Sequence, residues 1–385
     1  MINEPTAESR SLAQLARAAR SSRVTRVRNF TGEDAEVRAY RFGMWALGGP
    51  LARYQGDVPT GIVKRAQEFC RTNGIALERA HTKKENNSGG ALVPEEFSAD
   101  ILDLREKYGV FRRNAYVTRM ASDRKQLLRR AAEAEAYPVG EGQTIPESQM
   151  SWDAIGLQAH KIATLARFES EVSEDSITSF SDELAGEIGR AMAKFEDRAG
   201  FTGDGTEEFH GIVGVITKLR SLDASVANIA GLVEASGNLW SEITLSDMRA
   251  VVARVPESAD ETEAKWYCSR KFFAEVMLRL SGETIVERKS FLGYPVEIAQ
   301  VMPKKEANSS IPALFGDLRQ AATFGDRRLP TFRITDSNRD DFIYDILTIR
   351  GTERIDIVAH GVGNASTDED EREAGPIVGL IMRAS

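Results

Sequence analysis

Apolar residues repeat at helical spacing in several parts of the chain. Phe97, Ile101, Leu104 and Tyr108 recur every three or four residues, and Gly109 follows the last of them. This spacing lines one face of a helix with apolar side chains. Glycine favours a helix end because it adopts a positive φ at little cost. The pattern therefore predicts an amphipathic helix that ends at Gly109.

The longest helical pattern covers about residues 173–199 and predicts a strut of roughly 40 Å at ~1.5 Å per residue. Its apolar stripe consists of Ile177, Phe180, Leu184, Ile188, Met192 and Phe195. A shorter helix is predicted for about Thr60–Asn73, with Gly74 after it. The arginine-rich first thirty residues predict a short basic helix. Its arginines are expected to face a partner or solvent, and contact with DNA or a membrane is the alternative.

After Ser241 the pattern alternates between helices and strands, which indicates an α+β domain. From Pro330 onward it reads as long strands, with the acidic insertion STDEDEREA between the last two. The acidic residues of that insertion, Asp368, Glu369, Asp370, Glu371 and Glu373, lack the spacing of a Ca²⁺ loop and predict a solvated hairpin loop instead.

A long two-stranded excursion is predicted for about Tyr116 to Phe168. Its two arms segregate charge: Arg124, Lys125, Arg129 and Arg130 lie on the first, whereas Glu133, Glu135, Glu141 and Glu147 lie on the second. A ribbon that buries so little of its own apolar surface is marginally stable alone. We therefore expect Arg124, Lys125, Arg129, Arg130, Glu133 and Glu135 to lie at contacts with neighbouring chains.

Composition excludes several classes of protein. The formal net charge of -8 argues against a dedicated nucleic-acid binder, which needs a basic surface to neutralise phosphates. No early apolar stretch approaches the roughly 20 residues that span a bilayer. The two cysteines, Cys70 and Cys268, are far apart and are expected to be small core residues in a reducing cytosol.

No catalytic, metal-binding or cofactor-binding motif is found in the sequence. The four histidines are scattered, without metal-ligand spacing, and no P-loop or nucleophile elbow occurs. The run GFTGDGT follows a helix and is read as a turn. A soluble hydrolase that uses the acidic residues of this turn remains an alternative, although the spacing of those residues matches no catalytic motif. We expect no enzyme activity and no cofactor.

Several segments resemble the major capsid proteins of tailed bacteriophages, with the Hong Kong 97 phage-type shell fold. They include GGALVPEEFSADILDLREKYGVFRRNA, YPVGEGQTIPESQMSWDAIGLQAHKIATLARFESEVSEDS, WYCSRKFFAEVMLRL, FLGYPVEIAQVMP and ALFGDLRQAATFGDR. The resemblance covers roughly Gly89 to Ser385. It implies an α+β fold in which the excursion is the E-loop, the long helix is the spine of the P-domain and the α+β insert is the A-domain.

On this resemblance the chain divides into five stretches. They are an N-terminal arm at 1–88, P-domain at 89–115 and 166–240, the E-loop at 116–165, the A-domain at 241–329, and P-domain strands with the acidic loop at 330–385. The N-terminal stretch, which contains YRFGMWALGG, departs most from the family. We interpret it as a retained arm, although cleavage within the first thirty or so residues remains an alternative.

The resemblance implies a homo-oligomer of hexamers and pentamers in an icosahedral virion shell. Such a shell assembles in the host bacterial cytoplasm with portal, scaffolding and decoration proteins. It encloses double-stranded DNA without sequence-specific binding and contacts no membrane. An encapsulin-type compartment that encloses a cargo protein is the alternative on the same fold.

Some family members cross-link their shells through an E-loop lysine and a P-domain asparagine, assisted by a glutamate. The matching positions here hold Ile145, Asp345 and Thr352, and a reading shifted by one residue brings in Glu353. No lysine lies between Lys125 and Lys161. The sequence therefore predicts a shell without covalent cross-links.

Overall fold

The computed structural model describes residue 30 and residues 34–49, 60–75, 77, 91–92, 104–130, 152–169, 177–260, 263–282, 289–335 and 346–384. They form two compact units. The first comprises Met1–Gly109, Lys161–Phe195 and Leu329–Glu353, and the second comprises Val110–His160, Glu196–Arg328 and Arg354–Ser385. The predicted basic N-terminal helix and the tip of the E-loop lie outside the described residues.

Helices and strands alternate along the chain. The helices are α1 Ala35–Gly48, α2 Thr60–Thr72, α3 Phe111–Asn114, α4 Ile177–Thr202, α5 Val215–Arg220, α6 Leu245–Arg254, α7 Glu257–Asp260, α8 Arg270–Phe272, α9 Leu278–Ser281 and α10 Leu318–Ala321. The strands are β1 Ala91–Leu92, β2 Tyr116–Arg119, β3 Arg124–Arg130, β4 Trp152–Gln158, β5 His160–Glu169, β6 Leu232–Glu234, β7 Lys265–Cys268, β8 Ser290–Phe291, β9 Tyr294–Ile298, β10 Ala313–Gly316, β11 Ala322–Thr335, β12 Ile346–Ala359 and β13 Ile377–Ile381. Residues 104–108 are also helical and end at Gly109, as predicted.

The core of the first unit lies between α1, α2 and one face of α4. Phe42 and Trp45 of α1 stack with ring centroids 5.9 Å apart, and Ile188 of α4 is buried in the same cluster. Gly48 lets α1 approach α2, since a Cβ there would lie 3.1 Å from the Ala66 backbone. The helix α1 was not predicted, because its glycines and unbroken apolar run show no clear helical period.

A five-stranded sheet has the order β1-β11-β12-β5, and β2 also pairs with β11. In the first unit β1 runs antiparallel to the end of β11, with Ala91 opposite Ile334. In the second unit β2 runs parallel to the start of β11, with Tyr116 opposite Thr323. The predicted two-stranded excursion is thus shorter than 116–168, because β2 and β5 at its two ends belong to this sheet.

The second unit is built on a six-stranded sheet of order β6-β13-β10-β7-β9-β8. Strand β10 lies at its centre and pairs antiparallel with both β13 and β7. Trp266, Phe315 and Leu380 are buried in its core. This sheet extends beyond the predicted 241–329 range, because β6 and β13 pair with each other across a long stretch of sequence.

Side-chain caps begin the helices that pack on this sheet. The Thr244 hydroxyl accepts the Asp247 amide hydrogen, and the Asp247 carboxylate accepts the Thr244 amide hydrogen, so α6 starts with a capping box. The Ser269 hydroxyl caps α8 by accepting the Phe272 amide hydrogen. Between α8 and α9 the backbone forms a π turn over Phe273–Met277.

The helix α4 is described over Ile177–Thr202, so it ends slightly later than predicted, and its predicted start at 173–176 lies outside the described residues. The run GFTGDGT after it is a turn, as expected. Here the Asp204 carboxylate accepts hydrogen bonds from the amide and the hydroxyl of Thr206. These bonds lower the pKa of Asp204, which is the behaviour of a turn-forming carboxylate.

The close packing of Phe111 against the end of α4 can be tested by substitution. The Phe111 ring lies against Gly200, where an added Cβ would be 2.5 Å from ring carbons. We expect Gly200→Ala to lower the free energy of unfolding by about 1–3 kcal/mol, as overpacking does. Gly61→Ala in α2 is the control, because nothing lies within 4 Å of a Cβ there. Urea unfolding of both variants checks this, and equal stabilities would contradict it.

Candidate assembly site

The strands β3 and β4 form a separate two-stranded antiparallel ribbon. Their register runs from Arg124 opposite Gln158 to Arg130 opposite Trp152. Among the described strands neither has a second partner. An isolated two-stranded ribbon is marginally stable in water. The ribbon therefore offers two open edges and needs support from its base or from another chain.

The two faces of the ribbon differ in exposure. On the inner face Leu127 and Leu157 pack in a small cluster with Met120 and Ala159. On the outer face Leu128 is 75% exposed. The open strand edges are the feature that favours pairing with another chain.

Asp123 anchors the base of the ribbon. Its Oδ1 accepts hydrogen bonds from Arg354 Nη1 at 2.9 Å and from Arg327 Nε at 3.4 Å. Its backbone carbonyl accepts the Ala159 amide hydrogen at 2.8 Å. One residue thus joins the start of β3 to the end of β4 and to both β11 and β12.

A second anchor is Asp356 of β12. Its Oδ2 accepts the amide hydrogen of Gln158 at 2.6 Å. Burial raises the pKa of Asp356, while the amide donors and the nearby His160 act in the opposite direction. The end of β4 is therefore held by a side chain of the neighbouring sheet.

The segment that leads into β2 rests on a buried charge cluster. Arg112 contacts Glu196 Oε1 at 3.2 Å through Nη1, and Asp326 through Nη2. Its guanidinium also lies 4.6 Å from the centroid of the Phe324 ring. All three charged residues are buried. Buried charges persist only when they are paired in this way.

Asp197 fixes the same segment through its backbone. Its carboxylate accepts the amide hydrogens of Val110 at 2.9 Å and Phe111 at 2.7 Å, and so caps α3. Burial raises the pKa of Asp197 to about 7, against the lowering effect of these two amides. The segment before β2 is thus held by side chains from the end of α4.

Among the predicted contact residues, Arg124 is exposed at the start of β3. Lys125 is different: its ammonium donates to Thr118 Oγ1 at 2.6 Å and to the Arg119 carbonyl at 2.8 Å. It therefore secures the ribbon base within its own chain. The structure places Arg129 and Arg130 within β3. Glu133 and Glu135 lie outside the described residues.

The cross-link positions are only partly described, since Ile145 and Asp345 lie outside. Thr352 is buried, and its hydroxyl lies 3.0 Å from that of Thr331. The adjacent Glu353 is fully buried and forms an ion pair with Arg105. Its carboxylate is therefore committed to a structural contact in the first unit.

Both cysteines are buried, as expected. Burial raises the pKa of Cys70 to about 11 and that of Cys268 to about 12, so neither thiol is a ready nucleophile at neutral pH. Within the described part of the chain no group of three or more potential ligands is placed to hold a metal ion. No described helix has both the length and the apolarity to span a bilayer.

Sequence reasoning missed the Arg112 cluster. Its partners Glu196 and Asp326 lie 84 and 214 positions away along the chain. Nothing local marks these three residues among the many charged residues of the sequence. The only available signal was the arginine pair in VFRRNA, directly after a predicted helix.

Removal of Arg112 tests its structural importance. Arg112→Ala leaves Glu196 and Asp326 buried without their counter-charge, so we expect a loss of about 3–5 kcal/mol in the free energy of unfolding. The control is Arg249→Ala, because Arg249 is exposed on α6 and a substitution at such a surface position changes stability by about 0–0.5 kcal/mol. Denaturant unfolding of both variants measures the difference, and similar losses would refute the assignment.

Comparison with known proteins shows which family and which solved structures this chain is similar to. Residues 89–360 match the family model described as the phage capsid family. No curated protein matches the sequence. Among solved structures, the capsid of an empty GTA particle aligns with a TM-score of 0.55 at 17% identity, over 82% of this chain and 98% of the other. The structure described as Mycobacterium phage Adephagia aligns with a TM-score of 0.53 at 16% identity, over 86% and 99%.

At these identities the structural matches establish the fold, and the family match covers well over half of the chain. The predicted resemblance is thereby confirmed. A ribbon with open edges, a long helix and a separate six-stranded sheet are the parts of one capsid subunit: the chain belongs to the phage capsid family.

Proposed function

We propose that this chain is a major capsid protein whose copies form hexamers and pentamers of an icosahedral shell around double-stranded DNA. The observation that carries the proposal is the β3–β4 ribbon, whose edges are open and whose Leu128 is exposed. Contact with neighbouring copies gives this ribbon the support that a free subunit lacks. Family membership supplies the class of assembly.

The charge of the chain is consistent with a container for DNA. With 58 acidic and 50 basic side chains, the subunit is repelled from phosphates more than it is attracted to them. A shell needs to enclose its genome without holding it at fixed positions. Portal, scaffolding and decoration proteins, and assembly in the host cytoplasm, are part of this proposal. The absence of enzyme activity is also part of this proposal.

Variants of the ribbon test the proposal. Leu128 is exposed, so Leu128→Asp should change subunit stability by less than about 0.5 kcal/mol. It should nevertheless strongly reduce the yield of shells, because the aspartate must be desolvated at every contact between subunits. We expect the same of the double variant Arg129→Glu/Arg130→Glu. Negative-stain electron microscopy at matched protein concentration measures shell yield.

The matched control is Lys271→Asp, an exposed residue of α8 in the six-stranded sheet unit. It should assemble like the wild type. Wild-type protein that forms only small oligomers, with and without its scaffold, would refute the proposal. Shells that contain a protein cargo in place of DNA would favour the encapsulin-type alternative.

Shells of this protein should contain no covalent cross-links. The loop between Lys125 and Lys161 has no lysine to act as nucleophile, and Glu353 is paired with Arg105. Purified shells boiled in denaturant and reductant should therefore run as a single subunit band, with no bands at multiples of its mass. A ladder of higher bands would contradict this.

A further inference from the structure

Three buried carboxylates share one buried guanidinium where the end of α4 meets α3 and β11. Glu196 and Asp326 both contact Arg112, and Asp197 follows Glu196 directly along α4. All four residues are buried, and Arg112 is the only buried cation that the structure describes in the second unit. Three carboxylates against one guanidinium leave a net charge of -2 if every group is ionised. A buried carboxyl without a counter-charge is strongly destabilised, and it takes up a proton instead.

Asp197 is the member of this cluster that contacts no cation. Its Oδ1 accepts the amide hydrogens of Val110 at 2.9 Å and Phe111 at 2.7 Å, and it forms no ion pair within the described part of the chain. Glu196 and Asp326, in contrast, both contact Arg112. A protonated carboxyl still accepts hydrogen bonds through its carbonyl oxygen. A proton on Oδ2 of Asp197 therefore removes one negative charge and leaves both bonds to Oδ1 in place.

The surroundings of Asp197 disfavour its ionised form. The other charged or titratable residues on the elements around the cluster are Arg113 on α3, Lys194 and Arg198 on α4, Arg327 on β11, Lys265 and Tyr267 on β7, and Asp317 and Arg319 at the start of α10. Arg113 favours the ionised form, but it is 46% exposed and pairs with Glu297 at 2.7 Å, so solvent screens its charge. Burial raises the pKa of Asp197 to about 7 against Arg113 and the two amides, and the like charge of Glu196 adds to the rise.

We propose that the folded subunit holds a proton on the Asp197 carboxyl, and that this proton stabilises the closed position of residues 110–114, which lead into β2. The inference goes beyond the proposed shell function, because it concerns the free subunit as well as the assembled one. When the proton leaves, a carboxylate without a counter-charge remains in the cluster. Opening of the segment to water then becomes easier, because it hydrates that charge.

Proton linkage sets the direction of the effect. An exposed aspartate has a pKa of about 4. Between about pH 4 and pH 7 the folded state therefore binds a proton that the opened or unfolded state does not bind. The stability of the closed segment is greatest at the acidic end of this window, falls as the pH rises and levels off above pH 7. Between pH 6 and pH 8 this one group should raise the equilibrium constant for opening about tenfold.

The variant Asp197→Asn tests the role of the proton. Asparagine keeps a carbonyl oxygen for the two backbone amides and does not ionise in this range. The matched control is Asp204→Asn, the same change at an exposed carboxyl after α4 whose pKa is lowered by hydrogen bonds from Thr206, so that it stays ionised from pH 6 to pH 8. Native-state hydrogen exchange of the full-length protein measures the opening constant. Mass spectrometry follows the peptide that contains Val110 and Phe111, after correction for intrinsic exchange rates.

From pH 6 to pH 8 we expect the opening constant of this peptide to rise about tenfold in the wild type and in Asp204→Asn. It should change less than about twofold in Asp197→Asn. A wild-type rise of less than threefold overturns the proposal. The same pH dependence in Asp197→Asn as in the wild type also overturns it.

If Asp197→Asn does not fold, the wild type alone decides. Peptides from α6 are then the internal reference, because they belong to the same unit but lie outside the cluster. A rise centred near pH 7 at Val110 and Phe111 that is absent from α6 supports the proposal, and an equal rise in both peptides contradicts it. These measurements need no assembled shell, so the failure of this proposal and the failure of the shell function are separate results.

Discussion

The buried guanidinium of Arg112 is the contact on which the geometry of the second unit depends. It joins three pieces of chain that are far apart in sequence: the turn before β2, the end of α4 and the start of β11. Apolar packing alone tolerates small shifts in register and angle, whereas a buried arginine with two carboxylates does not, because any shift leaves a charge unpaired. The position of the segment that leads into β2 is therefore set by electrostatics.

The segments beyond this base have little apolar core of their own. The β3–β4 ribbon has only the small Met120 cluster beneath it. Its fixed points are hydrogen bonds made by Asp123 and Asp356 at one end. The acidic loop is likewise ordered by its own Arg372 and not by a core. Both segments are held by polar contacts at their bases, and the described parts beyond those bases bury little apolar surface of their own.

Local pattern and the family resemblance predicted much of the fold, and both depend on short-range signals. The long helix α4 and the helix that ends before Gly74 have regular apolar periods, and the structure contains them. The strands β7, β10 and β13 are short apolar runs in predicted strand segments, and the structure contains them too. The helix at Ala35–Gly48 escaped prediction because an unbroken apolar stretch with two glycines fills its second half. Long-range pairings also escaped: no local feature assigns β6 and β13 to one sheet, or Arg112 to Asp326. The predicted contact residues of the ribbon remain predictions, and for Lys125 the structure shows an intramolecular bond instead.

The π turn over Phe273–Met277 changes which side chains of the helix face the core. A π turn contains one residue more than an α-helical turn, so the residues after it are rotated away from the positions that an uninterrupted α-helix would give them. Val276 and Met277 of this turn are both buried, and so is Phe272 before it. Deletion of one residue from the turn would therefore restore a regular helix and at the same time turn a different set of side chains toward the core.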